Sequence, residues 1–219
     1  MGRSRYSDEE RDHIIITFIR AAREIIQEEG IEKVSIRKIA ALTGFNSATM
    51  YLYFPNSDAL ITMALMSYLE EYCRRLADDM PLMRTSEEVL MHTWEVFCGY
   101  AFAYPQIFHH IFFTPHTVPL EETMDAYYRL FPEQLENIDG HVSDMLQQGE
   151  ITERSMAVLW PAAVERGFSR EEAEMINSLI VCYFREMLEQ CCRGGEGAPS
   201  AEEFTEKLLY ALRFLIGRS

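Results

Sequence analysis

The chain has 219 residues, 48% of them hydrophobic and 25% charged, with 35 Asp and Glu against 20 Lys and Arg for a net charge of −15. That is enough chain for one or two domains with a sizeable core, in the composition of an ordinary soluble globular protein. The longest apolar runs, such as Leu179 to Phe184, fall far short of the ~20 residues a membrane helix needs, so no membrane span is expected.

The N-terminus, with Arg3, Arg5, Asp8, Glu9 and Glu10, has no apolar h-region and no secretory signal is expected. The five cysteines, Cys73, Cys98, Cys182, Cys191 and Cys192, show no CxxC spacing and no regular framework. They read as reduced thiols of a cytoplasmic protein. The acid is unevenly spread. Residues 1–60 hold 8 Lys and Arg against 9 Asp and Glu, leaving 12 against 26 for the remainder. A polyanion is therefore not excluded as a partner of the first part, provided its positive groups are localised.

Residues 1–7 read as a short arm, with Arg3 and Arg5 free to reach a phosphate or a minor groove. Ser7 followed by three acids is a helix start. The first helix runs to about Glu29, with Ile14, Phe18, Ala21, Ala22 and Ile25 at helical spacing. Gly30 ends it and Ser35 caps a second helix, with Ile36, Ile39 and Ala40 on its apolar side. Gly44 suits the left-handed end of that helix, and Asn46 or Ser47 can cap the next. Pro55 stops this short third helix, and Asn56, Ser57 and Asp58 offer caps for a long one from about Ser57 to Met80. A helix, a tight glycine turn, a short helix and a hard stop make a helix-turn-helix pattern. The leading turn of the short helix, Ser47, Ala48 and Thr49, is small and hydroxylated, which allows close approach to a partner and donation to phosphate oxygens.

The run Ser35-Ile36-Arg37-Lys38-Ile39-Ala40, then Gly44-Phe45-Asn46, Thr49-Met50-Tyr51-Leu52-Tyr53-Phe54-Pro55 and Ala59-Leu60 resembles the DNA-binding domain of the TetR family of ligand-responsive transcriptional regulators. The resemblance spans roughly residues 8–60; beyond residue 80 only the helical organisation fits. It implies a short helix Ser47–Tyr53 in the major groove of an operator. Arg37 would contact a base, Ser47, Ala48 and Thr49 would lie at the leading turn, and Tyr51, Tyr53 and Lys38 would meet phosphates. It also implies a second domain with a ligand pocket and a homodimer formed by the last two helices. Where the family often carries Lys, this chain has Ser47 and Ser57, and Leu52 stands where His is common. Those departures thin the charge available for phosphates.

The expected organisation is all-α: a three-helix helix-turn-helix domain over 1–60, then a helical-bundle ligand-binding and dimerisation domain over 61–219. Helices are expected from Ser86 to about Tyr104, from Gln106 to Phe113, and over a stretch with Tyr127, Tyr128 and Leu130 that continues past Pro132 through Leu135 and Val142. Residues 150–168 read as a helix interrupted at Pro161. Two strong helices follow, from Ser169 to about Cys192 and from Ser200 to about Ile216, apolar on more faces than one core needs.

The candidate ligand residues are aromatic: Trp94, Phe97, Phe108, Tyr127, Tyr128 and Trp160. His109, His110, His116, His141 and Cys98 lack ligand spacing, so no metal and no cofactor are expected. There is no GxSxG, HExxH or phosphate-binding glycine loop, so no enzyme is expected. The function expected is a DNA-binding regulator, a repressor, released from its operator by a small apolar or aromatic effector. The alternative is a small-molecule binding module with a vestigial DNA-binding domain.

Overall fold

The computed structural model describes residues 7–132, 145–146, 148–195 and 199–217. The arm with Arg3 and Arg5, and the stretch with Leu135, His141 and Val142, lie outside the described residues. The α-helices are α1 (Asp8–Glu29), α2 (Ile36–Thr43), α3 (Ser47–Met50), α4 (Ser57–Leu65), α5 (Ser67–Asp79), α6 (Ser86–Ala103), α7 (Pro105–Phe113), α8 (Leu120–Leu130), α9 (Ile151–Glu165), α10 (Arg170–Arg193) and α11 (Ala201–Ile216). Among the described residues there is no strand. They pack as two units. One takes the chain up to Ser67 together with Pro115–Pro132; the other takes Tyr68–Thr114 and the chain beyond Pro132.

In the first unit, Ser7 and Glu10 form a reciprocal box at the start of α1: the Ser7 hydroxyl accepts from the Glu10 N–H, and the Glu10 carboxylate accepts from the Ser7 N–H. The buried face of α1, with Ile14, Phe18, Ile19, Ala22, Ile25 and Ile26, packs on α2 and α4. Phe18 is the pin of the motif. Its ring lies 5.4 Å from that of Phe45, in the turn between α2 and α3, and 6.4 Å edge-on from that of Phe54. Met50 and Ile39 are buried alongside.

Two helices differ from expectation. α3 is helical for only four residues, not to Tyr53. Tyr51–Tyr53 instead close tight turns, with Leu52 N–H on Thr49 O at 3.1 Å and Tyr53 N–H on Met50 O at 3.0 Å, because Pro55 forbids a further α turn. The expected helix from Ser57 to Met80 is broken at Met66 into α4 and α5. The Ser67 hydroxyl donates to the Ala64 carbonyl at 2.9 Å, competing with the helical ladder where the chain passes from one unit to the next.

In the second unit, α9 and α11 each pack on α6 and α10, and α7 packs on α10 and α6. The hub is Phe97 on α6. Its ring is within 5.2–5.8 Å of those of Tyr72, Trp94, Phe108, Phe112 and Phe184. Edge-to-face and tilted pairs of this sort add to the burial energy of the rings. α9 runs unbroken through Pro161, where an interruption was expected. Its buried face, Ile151, Ser155, Val158, Leu159, Ala162 and Ala163, sits against α6 and α10, and that packing outweighs the lost N–H. Arg166 ties three helix ends together: it donates through Nε and Nη2 to Glu87 at 3.1 and 2.5 Å, and through Nη1 to the Ile216 carbonyl at 3.3 Å. Met175, Leu179 and Tyr183, spaced four apart on α10, and Tyr210 and Phe214 on α11 are large apolar side chains left exposed.

Candidate nucleic-acid interface and buried cavity

The helix-turn-helix is built by its caps. The Ser35 hydroxyl accepts from the Lys38 N–H to start α2, and Gly44 ends α2 at φ 71°, a left-handed conformation that only glycine adopts without strain. The Asn46 side chain then accepts from the Ala48 N–H at 2.9 Å and starts α3. This places the Ser47 and Ala48 side chains on the exposed leading turn, with Thr49 half-buried beside them. Tyr51 is 55% exposed, and Arg37 is exposed with no ion-pair partner among the described residues. Tyr53 is half-buried. Phe54 is core. Lys38 is less available, because its ammonium lies 2.5 Å from the Glu29 carboxylate. The surface thus combines an exposed guanidinium, hydroxyls and a small-residue approach, which can meet phosphates and base edges together.

The first unit also holds α8, which packs on α4. The Asn56 side chain donates to the Thr117 hydroxyl at 2.9 Å, and Thr62 meets His116 at 3.3 Å, so the loop before α8 is fastened to α4. The Arg23 guanidinium of α1 donates to the Tyr127 hydroxyl at 2.6 Å and lies 5.2 Å from the centre of the Phe131 ring. Tyr127, expected in a ligand pocket, is thereby part of the unit that carries the helix-turn-helix, with Tyr128 half-buried next to it.

The second unit holds a small cavity of about 20 Å³, room for about one water, lined by Tyr72, Thr93, Trp94, Phe97, Met145, Ile151, Arg154, Ser155 and Val158. Trp94 and Phe97 of the expected ligand residues meet here. Phe108 is fully buried behind Phe97 and is not in the lining. Trp160 faces a separate open groove, under the Arg170 guanidinium at 5.0 Å. The lining holds a cation that composition did not point to: Arg154 is 2% exposed. Its Nη1 donates to the Leu146 and Gln148 carbonyls at 3.1 and 3.0 Å, and its guanidinium lies 5.5 Å from the Phe112 ring centre. Burial pushes the Tyr72 hydroxyl well above the usual phenol range, against the pull of the Arg154 charge, and the hydroxyl donates to the Met145 sulfur at 3.7 Å. The signal that could have found Arg154 is its register. It stands three residues after Ile151 and four before Val158, on the apolar stripe of α9.

Three of the thiols are held more firmly protonated than a free cysteine. Burial pushes Cys98 well up; Cys191 is raised first by burial and then by Cys192, and Cys192 first by burial and then by Glu189. No helix among the described residues is long and apolar enough to cross a membrane.

Residues 18–63 match the family model of bacterial regulatory proteins, tetR family. The Fatty acid metabolism regulator protein of Bacillus subtilis (strain 168) is 31% identical over 72 residues, which are 33% of this chain and 37% of that protein, so the chain spans little more than a third of the curated relative it matches. Two crystal structures share the fold. Thermus thermophilus FadR, a TetR-family transcriptional repressor in complex with lauroyl-CoA, aligns with TM-score 0.58 and 17% identity over 92% of this chain and 93% of that one. The transcriptional regulator FadR from Bacillus subtilis, in complex with stearoyl-CoA, aligns with TM-score 0.55 and 14% identity over 92% and 97%.

Proposed function

From the match of residues 18–63 to the tetR family of bacterial regulatory proteins, we propose that the protein is a transcriptional repressor that binds a double-stranded DNA operator and is released by a small effector. The observation that carries this is the α3 leading turn, with Ser47 and Ala48 exposed and Thr49 half-buried, flanked by exposed Tyr51 and by exposed Arg37, which has no ion-pair partner among the described residues. A helix of this kind inserts its leading turn into the major groove. Arg37 reads a base, Tyr51 and Tyr53 hold phosphates, and Lys38 joins them once it leaves Glu29. The effector enters the second unit, with Trp94 and Phe97 in its site. The structural neighbours that hold acyl-CoA support a ligand in this fold, and the apolar lining around Trp94 and Phe97 supports an apolar or aromatic one.

The protein works in the cytoplasm as a homodimer. Its exposed apolar stripe on α10 and α11 supports pairing with a second copy. Binding of the full chain to its own upstream DNA, followed by fluorescence anisotropy at two salt concentrations, tests the proposal. Tight binding to one segment over scrambled DNA is expected. Equal, weak binding to both would leave a ligand-binding module with a vestigial DNA-binding domain, a reading favoured by the Lys38–Glu29 pair and by Ser47 and Ser57.

A further inference from the structure

The surface that carries the proposed operator contacts also carries an apolar residue that none of those contacts uses. Leu52 is 73% exposed, the most exposed large apolar side chain among the described residues. Its backbone is held. The Leu52 N–H donates to the Thr49 carbonyl at 3.1 Å, and the Phe54 N–H donates to the Met50 carbonyl at 2.9 Å, so the chain keeps a helical path for one turn beyond α3. On such a path residues three and four apart share a face. Met50 and Phe54 are buried and define the inner face. Ala48, Tyr51 and Leu52 are exposed, with Tyr51 three and Leu52 four residues after Ala48, and define the outer one. Leu52 therefore follows Ala48 along the outward side, one turn on from the residues that lead into the groove.

One exposed leucine is ordinary on a protein surface. This one adjoins exposed Tyr51 and stands on a surface thin in charge, where Ser47 and Ser57 are neutral and Lys38 is paired with Glu29. A surface that holds phosphates weakly draws more of its preference from base edges. The apolar feature of the major groove is the C5 methyl of thymine, and apolar side chains are what contact it. We propose that Leu52 covers a thymine methyl in the operator and sets a preference for an A·T pair at the position it reaches. The inference rests on the reading of α3 as the helix that enters the groove. Arg37 and Leu52 then read by opposite chemistries, a guanidinium on hydrogen-bond acceptors and an isobutyl group on a methyl.

The test titrates the full-length protein, by fluorescence anisotropy, with duplexes tiled across the DNA upstream of its own gene. The tightest duplex is then remade with one thymine at a time replaced by deoxyuridine. That exchange removes the C5 methyl and leaves pairing with adenine intact. The parent is expected to lose about fourfold in affinity at one thymine position, the worth of about one buried methyl. Leu52→Ala loses about fourfold on the unmodified duplex and is indifferent to deoxyuridine at that position, so the two losses do not add. Leu52→Met, still apolar, restores most of the affinity and the sensitivity, whereas Leu52→Gln restores neither. Melting temperatures of the three variants stay near that of the parent, because the side chain is exposed. Losses that add at every thymine, or a Leu52→Ala variant that binds the duplex like the parent, overturn the proposal and leave the repressor reading standing. If no duplex binds better than scrambled DNA, the repressor reading falls and the role of Leu52 falls with it.

Discussion

The Lys38 ammonium lies 2.5 Å from the Glu29 carboxylate, so one cation of the candidate DNA surface is held by the end of the preceding helix. The side chains are 39% and 45% exposed, and an ion pair in that setting contributes only about 0–1 kcal/mol to stability. Its effect on a polyanion is larger in kind, because the acid screens the lysine and repels phosphate. Glu29→Gln is expected to strengthen binding to every DNA sequence a few-fold. It should also steepen the dependence of log K on log salt by about one phosphate contact, ~0.9. Anisotropy titrations across a salt series on operator and scrambled DNA check this. An unchanged slope means that Lys38 meets no phosphate.

Arg37 and Tyr51 are exposed on the same surface but should fail in different ways. Arg37→Ala is expected to cost about 1–3 kcal/mol on the operator and to relax preference at one base pair. Tyr51→Phe should weaken binding to all DNA by about 1 kcal/mol and leave preference intact. Neither side chain is in the core, so melting temperatures should stay within a degree or two of the parent, on the order of ±0.5 kcal/mol. Competition titration of each variant separates the roles. Equal losses on operator and scrambled DNA for Arg37→Ala would remove it from base contact.

The helix-turn-helix was legible in the sequence because its determinants are local. Ser7, Ser35, Asn46 and Asn56 act on backbone groups two or three residues away, Gly44 needs one φ, and Pro55 stops the chain at once. What was not legible depends on distant partners. Pro161 reads as a break until the packing of α9 on α6 and α10 is known. Met66 reads as helix until the Ser67 hydroxyl takes a carbonyl. The aromatic residues grouped as a ligand wall look alike in sequence, yet Tyr127 pairs with Arg23 while Trp94 lines a cavity, a difference made by residues far along the chain. Arg154 was passed over because charge is read as exposure unless its register is checked against its neighbours.

Gly44 gives a clean test of the turn. Nothing lies within 4 Å of where its Cβ would be, so a substitution there meets no clash and its cost is the left-handed φ of 71° alone. Gly44→Ala is expected to destabilise the protein by about 1–2 kcal/mol, and Gly44→Asn by less, since Asn tolerates this region. Thermal melts of the two variants decide it. Equal melting temperatures for Ala and Asn would mean that the turn relaxes out of the left-handed region.

Pro161 should report on the packing of α9. Pro161→Ala restores an N–H to the helix and removes the ring clash, but it also frees the unfolded chain. The balance favours the folded state by roughly 1–3 kcal/mol, and the variant is expected to melt higher than the parent. A lower melting temperature would show that the ring itself fills space in the second unit.

The last prediction concerns assembly. Met175, Leu179 and Tyr183 repeat every four residues along α10, and Tyr210 and Phe214 do so on α11, with exposures from 41% for Tyr183 to 71% for Tyr210. Single exposed apolar residues need no explanation, but two helical stripes of them are an interaction surface. Within its unit the opposite face of α10, with Ile176, Ile180, Phe184, Met187 and Leu188, is already buried, so the outer stripe is not needed by the protomer's own core. Pairing with a second copy across these helices would bury more than about 2,000 Å², the range of obligate dimers. Light scattering is expected to give twice 25.5 kDa at micromolar concentration. Leu179→Asp combined with Phe214→Asp should yield a folded monomer, because both side chains are half-exposed in the protomer and their loss opens no cavity. Its helical circular dichroism should match the parent, while operator affinity falls steeply, since a monomer reaches only one half-site. A parent mass of 25.5 kDa, or a double variant that stays dimeric, would move the interface away from α10 and α11.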